Sequence, residues 1–308
     1  MRNYLHIDNF YCGRCEEVLK NVRPKSVDLV LTSPPYSDKR DYGIENAQIP
    51  PQDFVNWFKP MARQIKRVLK DTGSFVLNIN DKVVNGEQQL YVFKLVIYLC
   101  EQLNFKLVRD YIWYNPATPP NIYSTGKYGR TKKSHEYCFW FSVSDTWTFN
   151  LDPIRKPYSP DMSKFLEGRC HGGRDENTRP STHNFNLDVA WADHGGSDPG
   201  SVIESCDSDP GSVLKIANTS SNDIFTRTCK ERGIRHPARF PNQLAEFFIQ
   251  AGTNEGDLVL DPFSGSGTTC VVARNLGRHW IGIDANADYC EISAMRMELE
   301  RRVENNEV

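Results

Sequence analysis

No stretch of this 308-residue chain is apolar over the roughly 20 residues that a membrane-spanning helix requires. Residues Met1 to Asp8 also lack the charged-then-apolar pattern of a secretion signal. Both absences predict a cytoplasmic protein with no membrane partner. The nine cysteines form no disulfide framework, as expected in a reducing compartment. Cys12 and Cys15 make the only CxxC pair, and no second Cys or His pair follows, so no metal site is expected. A surplus of positive charge is missing too, since 37 Lys and Arg stand against 39 Asp and Glu. That near-neutral balance argues at first against a nucleic-acid partner.

The distribution of charge weakens the objection. Residues 186–224 hold seven acids and one base (Lys215), which leaves a net charge of +4 on the remainder of the chain. Two basic clusters lie there: Lys127, Arg130, Lys132 and Lys133, then Arg227, Lys230, Arg232, Arg235 and Arg239. Either could neutralise phosphates, and either could be an ordinary solvated surface.

What the chain does have is a strand–helix rhythm at both ends. Tyr4–Ile7, Val27–Thr32, Ser74–Ile79, Phe105–Tyr114 and Tyr137–Val143 read as strands, with Asp71 to Gly73 a turn. Glu16–Val22, Phe54–Leu69 and Gln88–Leu103 read as helices. Between residues 155 and 226 Gly, Ser, Asp, Asn and Pro dominate and periodicity is lost. Ser197–Val202 recurs there as Ser208–Val213, two copies being too few for a solenoid. Order returns with a helix over Asn242–Gln250, strands over Leu258–Leu260 and Trp280–Ile283, and helices over Thr268–Leu276 and Asp288–Arg302. This predicts one mostly parallel α/β sheet, helices on both faces, assembled from the two ends of the chain.

Two loops carry chemical signals. In the first, the strand ending at Asp261 runs through Pro262, Phe263, Ser264, Gly265, Ser266 and Gly267 into a helix that opens at Thr268 and Thr269. Glycines there admit close backbone approach, and the helix start offers free N–H groups. The next strand ends at Asp284, 23 residues after Asp261, where a carboxylate can grip both hydroxyls of a ribose. The loop does not read GxGxxG, and no GK[ST] follows, so neither the dinucleotide fingerprint nor a P-loop is present.

The second loop is Ser33-Pro34-Pro35-Tyr36, at the end of the strand Val27–Thr32. Two successive prolines remove two donors and stiffen the chain, leaving carbonyl oxygens free to accept. Ser33 adds a further acceptor and Tyr36 a flat face. Together they suit a planar group bearing an NH₂.

DPFxGxGTT resembles the S-adenosylmethionine (AdoMet) motif of the amino-group DNA methyltransferases, and TSPPY resembles their catalytic motif. The order, catalytic before cofactor motif by some 228 residues, is that of the permuted β group. The resemblance implies an AdoMet-dependent methyltransferase with a Rossmann-like fold, needing no metal. Its parts would be a catalytic half (1–154), a target-recognition insertion (155–226) and an AdoMet-binding half (227–308). It implies that Phe240 and Pro241, within His236–Pro241, help enclose the cofactor. It places Asp110–Pro116 and His135–Phe141 beside the target pocket. The substrate would be a base flipped out of double-stranded DNA and stacked on Tyr36, with Lys127, Arg130, Lys132 and Lys133 on phosphates.

Serine before the prolines resembles the cytosine-N4 enzymes of restriction–modification systems, so a cognate endonuclease is an expected partner. Alternatives are an N6-adenine enzyme, an RNA or protein amino-group methyltransferase, and a non-catalytic DNA-binding module. One departure stands out. Arg14 occupies a place where the family carries an acid toward the adenine, and Asp8 is the nearest substitute in sequence.

Overall fold

The structure is a computed structural model that describes residues 4–37, 48–115, 133–158, 163, 195–197, 202–203, 225, 229 and 241–304. Its first elements are β1 (Asn9–Cys12), α1 (Cys15–Val18), β2 (Val27–Thr32), α2 (Phe54–Val68) and β3 (Leu69–Ile79). A short pair, β4 (Val83–Val84) and β5 (Glu87–Gln88), precedes α3 (Tyr91–Glu101), β6 (Lys106–Tyr114) and β7 (His135–Ser142). Then follow β8 (Val202–Ile203), α4 (Asn242–Gly252), β9 (Leu258–Asp261), α5 (Thr268–Asn275), β10 (His279–Asp284) and α6 (Ala287–Glu304).

Among the described residues eight strands form one sheet in the order β1-β10-β9-β2-β3-β7-β6-β8. The run from β1 to β3 is parallel, β7 is antiparallel to both β3 and β6, and β8 is parallel to β6. The two ends of the chain meet where Leu29 and Val30 of β2 pair with Val259 and Leu260 of β9. The expected mostly parallel sheet built from both ends is the one observed.

Side chains alternate across it, as the pleat requires. Val30, Phe75, Leu77, Ile79 and Leu260 join one core with α2 and α3. Leu29, Leu31, Val76, Val259 and Trp140 join another with α4 and α5. Both faces are therefore covered, which explains why β2 is buried at all six positions. Trp140 is wholly buried and still satisfied, its indole N–H donating to Ser74 Oγ at 2.9 Å.

Three expectations are corrected. The first strand is Asn9–Cys12 rather than Tyr4–Ile7. Its pairing with Ile281–Asp284 decides the register, and Asp8, at a φ of 58°, turns the chain just before it. The turn at Asp71–Gly73 lies inside β3, which already begins at Leu69. Gln88 belongs to the β4–β5 hairpin and not to α3; Asn85 and Gly86, both at positive φ, make the Asn-Gly turn. Among the described residues no helix is long and apolar enough to cross a membrane.

Candidate active site

From β9 the chain crosses through α5 to β10, and from β2 through α2 to β3, so the two connections leave in opposite directions. Between such neighbours a crevice opens at the carboxyl ends of the strands. Both loops singled out by the sequence leave from that point.

Asp261 ties them together. Thr32, just before Ser33, donates its hydroxyl to Asp261 Oδ1 at 2.6 Å, and Thr269 donates to Oδ2 at 2.7 Å. The Phe263 amide adds a third bond at 3.1 Å. The carboxylate is buried, and that burial pushes its pKa from 3.8 up to about 6 against the pull of these donors. Within that interval the folded protein holds the proton more tightly than the unfolded chain does. Stability therefore falls as pH rises from 3.8 to 6 and stays lower above it, by about 3 kcal/mol for a two-unit shift. Asp261→Asn keeps the shape without the charge. We expect it to fold and to lose most of the stability difference between about pH 4.5 and about pH 7, measured by urea unfolding. An undiminished difference would assign the pH dependence to another group.

The glycine loop is held from several sides. Gly265 and Gly267 lie at φ of 51° and 74°. A Cβ on Gly267 would come within 2.9 Å of Phe10 and 3.2 Å of Ser293, so both conformation and space demand glycine. Ser264 N–H donates to Ile283 O at 2.8 Å, and Ser293 Oγ donates to Gly265 O at 2.7 Å. Asp284 accepts the Gly265 amide on one oxygen and the Asn286 amide on the other, each at 2.9 Å. Burial raises its carboxyl pKa and those amides oppose the rise.

Arg296 is a residue the sequence reading missed. Its side chain is buried in α6 and donates to Ser266 O (3.3 Å), Thr268 Oγ1 (2.7 Å), Asn242 Oδ1 (2.8 Å) and Glu300 Oε1 (3.0 Å). It thus joins the loop to the start of α4, next to Pro241. The signal was a charged residue on the helix face shared with Ile292 and Ser293, both buried. Phe263, by contrast, turns into the core against Trp57 and Phe58. Two polar features of the loop have no side-chain partner among the described residues. No side chain caps the N-terminus of α5, and Ser266 Oγ is buried without a partner among the described residues.

The Ser33–Tyr36 loop is braced from β3 and β7. Pro34 is buried, while Ser33, Pro35 and Tyr36 are partly exposed. Ser33 Oγ donates to Tyr36 Oη at 2.8 Å, and Tyr36 Oη lies 2.8 Å from Asn78 Oδ1 and 2.6 Å from Glu136 Oε2. Burial, with the Glu136 carboxylate beside it, pushes the Tyr36 phenol well above its ordinary range. Asn78 could have been suspected as a buried polar residue interrupting the apolar run of β3.

Other expected residues fall elsewhere. Lys127, Arg130, Lys132 and Phe240 lie outside the described residues, as does most of 155–226. Lys133 turns inward rather than onto a phosphate-facing surface. Its ammonium sits 2.6 Å from the buried Asp81 and over the Tyr137 ring, where desolvation lowers its pKa. Asp8 does not reach the site either. It stands before β1, accepting from Trp280 N and pairing with His279, away from the carboxyl ends. At those ends Arg14 is paired with Glu16 at 2.6 Å, so the acid beyond β1 is Glu16.

Comparison with known proteins agrees with this geometry. The DNA methylase family model matches residues 27–295. The type II methyltransferase M.PvuII of Proteus hauseri is 32% identical over 295 residues, covering 94% of this chain and 83% of that protein. The orphan methyltransferase M.BamHII of Bacillus amyloliquefaciens is 28% identical over 92% of this chain and 95% of its own. Among solved structures, the PvuII DNA methyltransferase (cytosine-N4-specific) superposes with a TM-score of 0.68 at 27% identity, covering 95% of this chain and 87% of that one.

Proposed function

The chain belongs to the DNA methylase family, and on that premise we propose that it methylates N4 of a cytosine flipped out of duplex DNA, using AdoMet. The observation that carries the reading is the Thr32–Asp261–Thr269 chain, which holds the serine–proline loop and the glycine loop side by side at the crevice. Ser33 at the head of that loop, together with the cytosine-N4-specific solved relative, favours cytosine N4 over adenine N6.

The glycine loop fits AdoMet. The uncapped start of α5 and the Ser266 hydroxyl, which has no partner among the described residues, offer polar groups, and the positive-φ backbone at Gly265 and Gly267 makes the tight turn that leads into that helix start. Asp284 would hold the ribose, Ser264 to Thr269 the remainder, and Phe240 and Pro241 one wall. Asp261 serves as the brace behind them. When bound, AdoMet supplies a methyl group that is already electrophilic. The protein's work is therefore to position the amine and accept its hydrogens. Ser33 Oγ takes one N–H, a carbonyl of the rigid Pro34-Pro35 turn takes the other, and Tyr36 offers its ring to the base.

Residues 1–154 and 227–308 then form the two halves of one catalytic domain, with 155–226 inserted for target recognition. In this reading Lys127, Arg130 and Lys132, which lie in the sequence between β6 and β7, contact DNA phosphates, while Lys133 is held by Asp81. A cytoplasmic, DNA-associated enzyme, paired with an endonuclease for the same site, completes the reading.

The test is product analysis. Duplex DNA incubated with the protein and tritiated AdoMet, then digested to nucleosides, is expected to carry label in N4-methyldeoxycytidine. Label in N6-methyldeoxyadenosine alone would overturn the choice of base. Label only in RNA or protein would overturn the choice of substrate.

A further inference from the structure

The hydrogens around Tyr36 do not balance until one more is supplied. Its phenolic oxygen has three oxygen neighbours at 2.6–2.8 Å: Ser33 Oγ, Asn78 Oδ1 and Glu136 Oε2. Ser33 and Tyr36 bring one hydrogen each. Asn78 brings none to this point, because its Nδ2 faces the Tyr137 carbonyl at 3.3 Å and Cys138 Sγ at 3.4 Å. With Glu136 ionised, two hydrogens serve three contacts. With Glu136 protonated, each contact has one: Ser33 and Glu136 donate to Tyr36, and Tyr36 donates to Asn78. The cluster is built to be complete when Glu136 carries a proton.

Methylating an amine releases a proton. The nitrogen–carbon bond forms, the sulfur–carbon bond breaks with its electron pair going to sulfur, and one N–H proton must leave the nitrogen. Resting on the methyl-transfer reading above, we propose that Glu136 is the terminal acceptor of that proton, reached through the hydroxyls of Ser33 and Tyr36. The amine proton passes to Ser33 Oγ as the Ser33 hydrogen passes to Tyr36 Oη and the Tyr36 hydrogen to Glu136 Oε2. Ser33 meets the amine and Tyr36 the face of the base, whereas Glu136 touches neither, so Glu136 is a positioning and proton-holding residue. Its surroundings suit both states. The Lys133 ammonium, just before this strand, favours the carboxylate before transfer, and Asn78 Oδ1 accepts the hydrogen that Tyr36 Oη has taken from Ser33 after it. Because burial resists ionisation of the phenol, Tyr36 hands the proton on and does not store charge.

Glu136→Gln separates this role from a structural one. The glutamine amide supplies the third hydrogen permanently and cannot take up a proton. We expect E136Q to melt at or above the wild-type temperature, with AdoMet Kd and KM for DNA unchanged and kcat reduced about a hundredfold. Tyr36→Phe, which interrupts the chain in its middle, should reach the same low kcat, and the double variant should fall no further. Glu136→Asp should recover much of the rate. A proton inventory in mixed light and heavy water should be bowed for the wild type and straight for Y36F. E136Q turning over at the wild-type rate, or losses that multiply in the double variant, would overturn the relay alone. A wild-type protein that labels no DNA overturns the methyl-transfer reading and the relay with it.

Discussion

Ser33→Ala is expected to lower kcat about a thousandfold while AdoMet affinity and melting temperature stay at wild-type values. The structural side is simple. Ser33 is partly exposed, and among the described residues its hydroxyl makes one hydrogen bond, to Tyr36 at 2.8 Å. Alanine removes one oxygen and leaves Tyr36 still between Asn78 and Glu136, so little stability is lost. The chemical side is not simple. An exocyclic amine is a poor nucleophile because its lone pair is delocalised into the ring. Acceptors at its hydrogens restore nucleophilicity only if they are fixed before the methyl group arrives. Ser33 is fixed by Pro34 and Pro35 on one side and by the Tyr36 bond on the other, a preorganised dipole where positive charge develops. A thousandfold in rate corresponds to about 4 kcal/mol, the upper range for removing one such group. Single-turnover kinetics with saturating AdoMet measure it. A variant retaining more than about a tenth of the rate would move the chemistry from the side chain to the proline carbonyls.

Both loops are legible in the sequence because their chemistry is local. Asp261 to Thr269 and Ser33 to Tyr36 each hold prolines, glycines and hydroxyls within a few residues of a strand end. Helix α2 is legible for a similar reason, Phe54, Phe58, Met61 and Ile65 recurring on one buried face. What the sequence does not disclose are pairings made by the sheet. Tyr36 meets Asn78 and Glu136 across 42 and 100 residues, and Thr32 meets Asp261 across 229. Such contacts exist only once β2 lies between β9 and β3, with β7 beyond. Lys133 misled for a related reason. Within its basic cluster it reads as surface charge, and only the fold shows Asp81 waiting beneath it. Strand β1 is too short for its own alternation to place it, so β10 decides its position.

Asp284→Ala is expected to weaken AdoMet binding at least a hundredfold while the protein remains folded and melts a few degrees lower. Two losses combine at this residue. The first is architectural, since the Gly265 and Asn286 amides each lose the oxygen that receives them at 2.9 Å. Both amides are part-buried, so water offsets some of the roughly 1–3 kcal/mol that a fully buried donor left without a partner costs. The loop does not come apart, because Ser264 N–H still reaches Ile283, Ser293 still holds Gly265 O, and Arg296 still holds Ser266. The second loss is the proposed grip on the ribose. Hydrogen bonds to a charged acceptor contribute about 1.5–3 kcal/mol each, so two of them account for a hundredfold or more. Calorimetry with AdoMet alone separates these effects from DNA binding and catalysis. Because burial raises the Asp284 carboxyl pKa, the wild-type protein should lose AdoMet affinity on acidification sooner than an ordinary carboxylate would allow. Below that raised pKa the neutral acid offers fewer acceptors, and D284A should have lost this part of the pH dependence. Affinity unchanged in D284A would leave Asp284 as a loop brace and place the ribose elsewhere along the crevice.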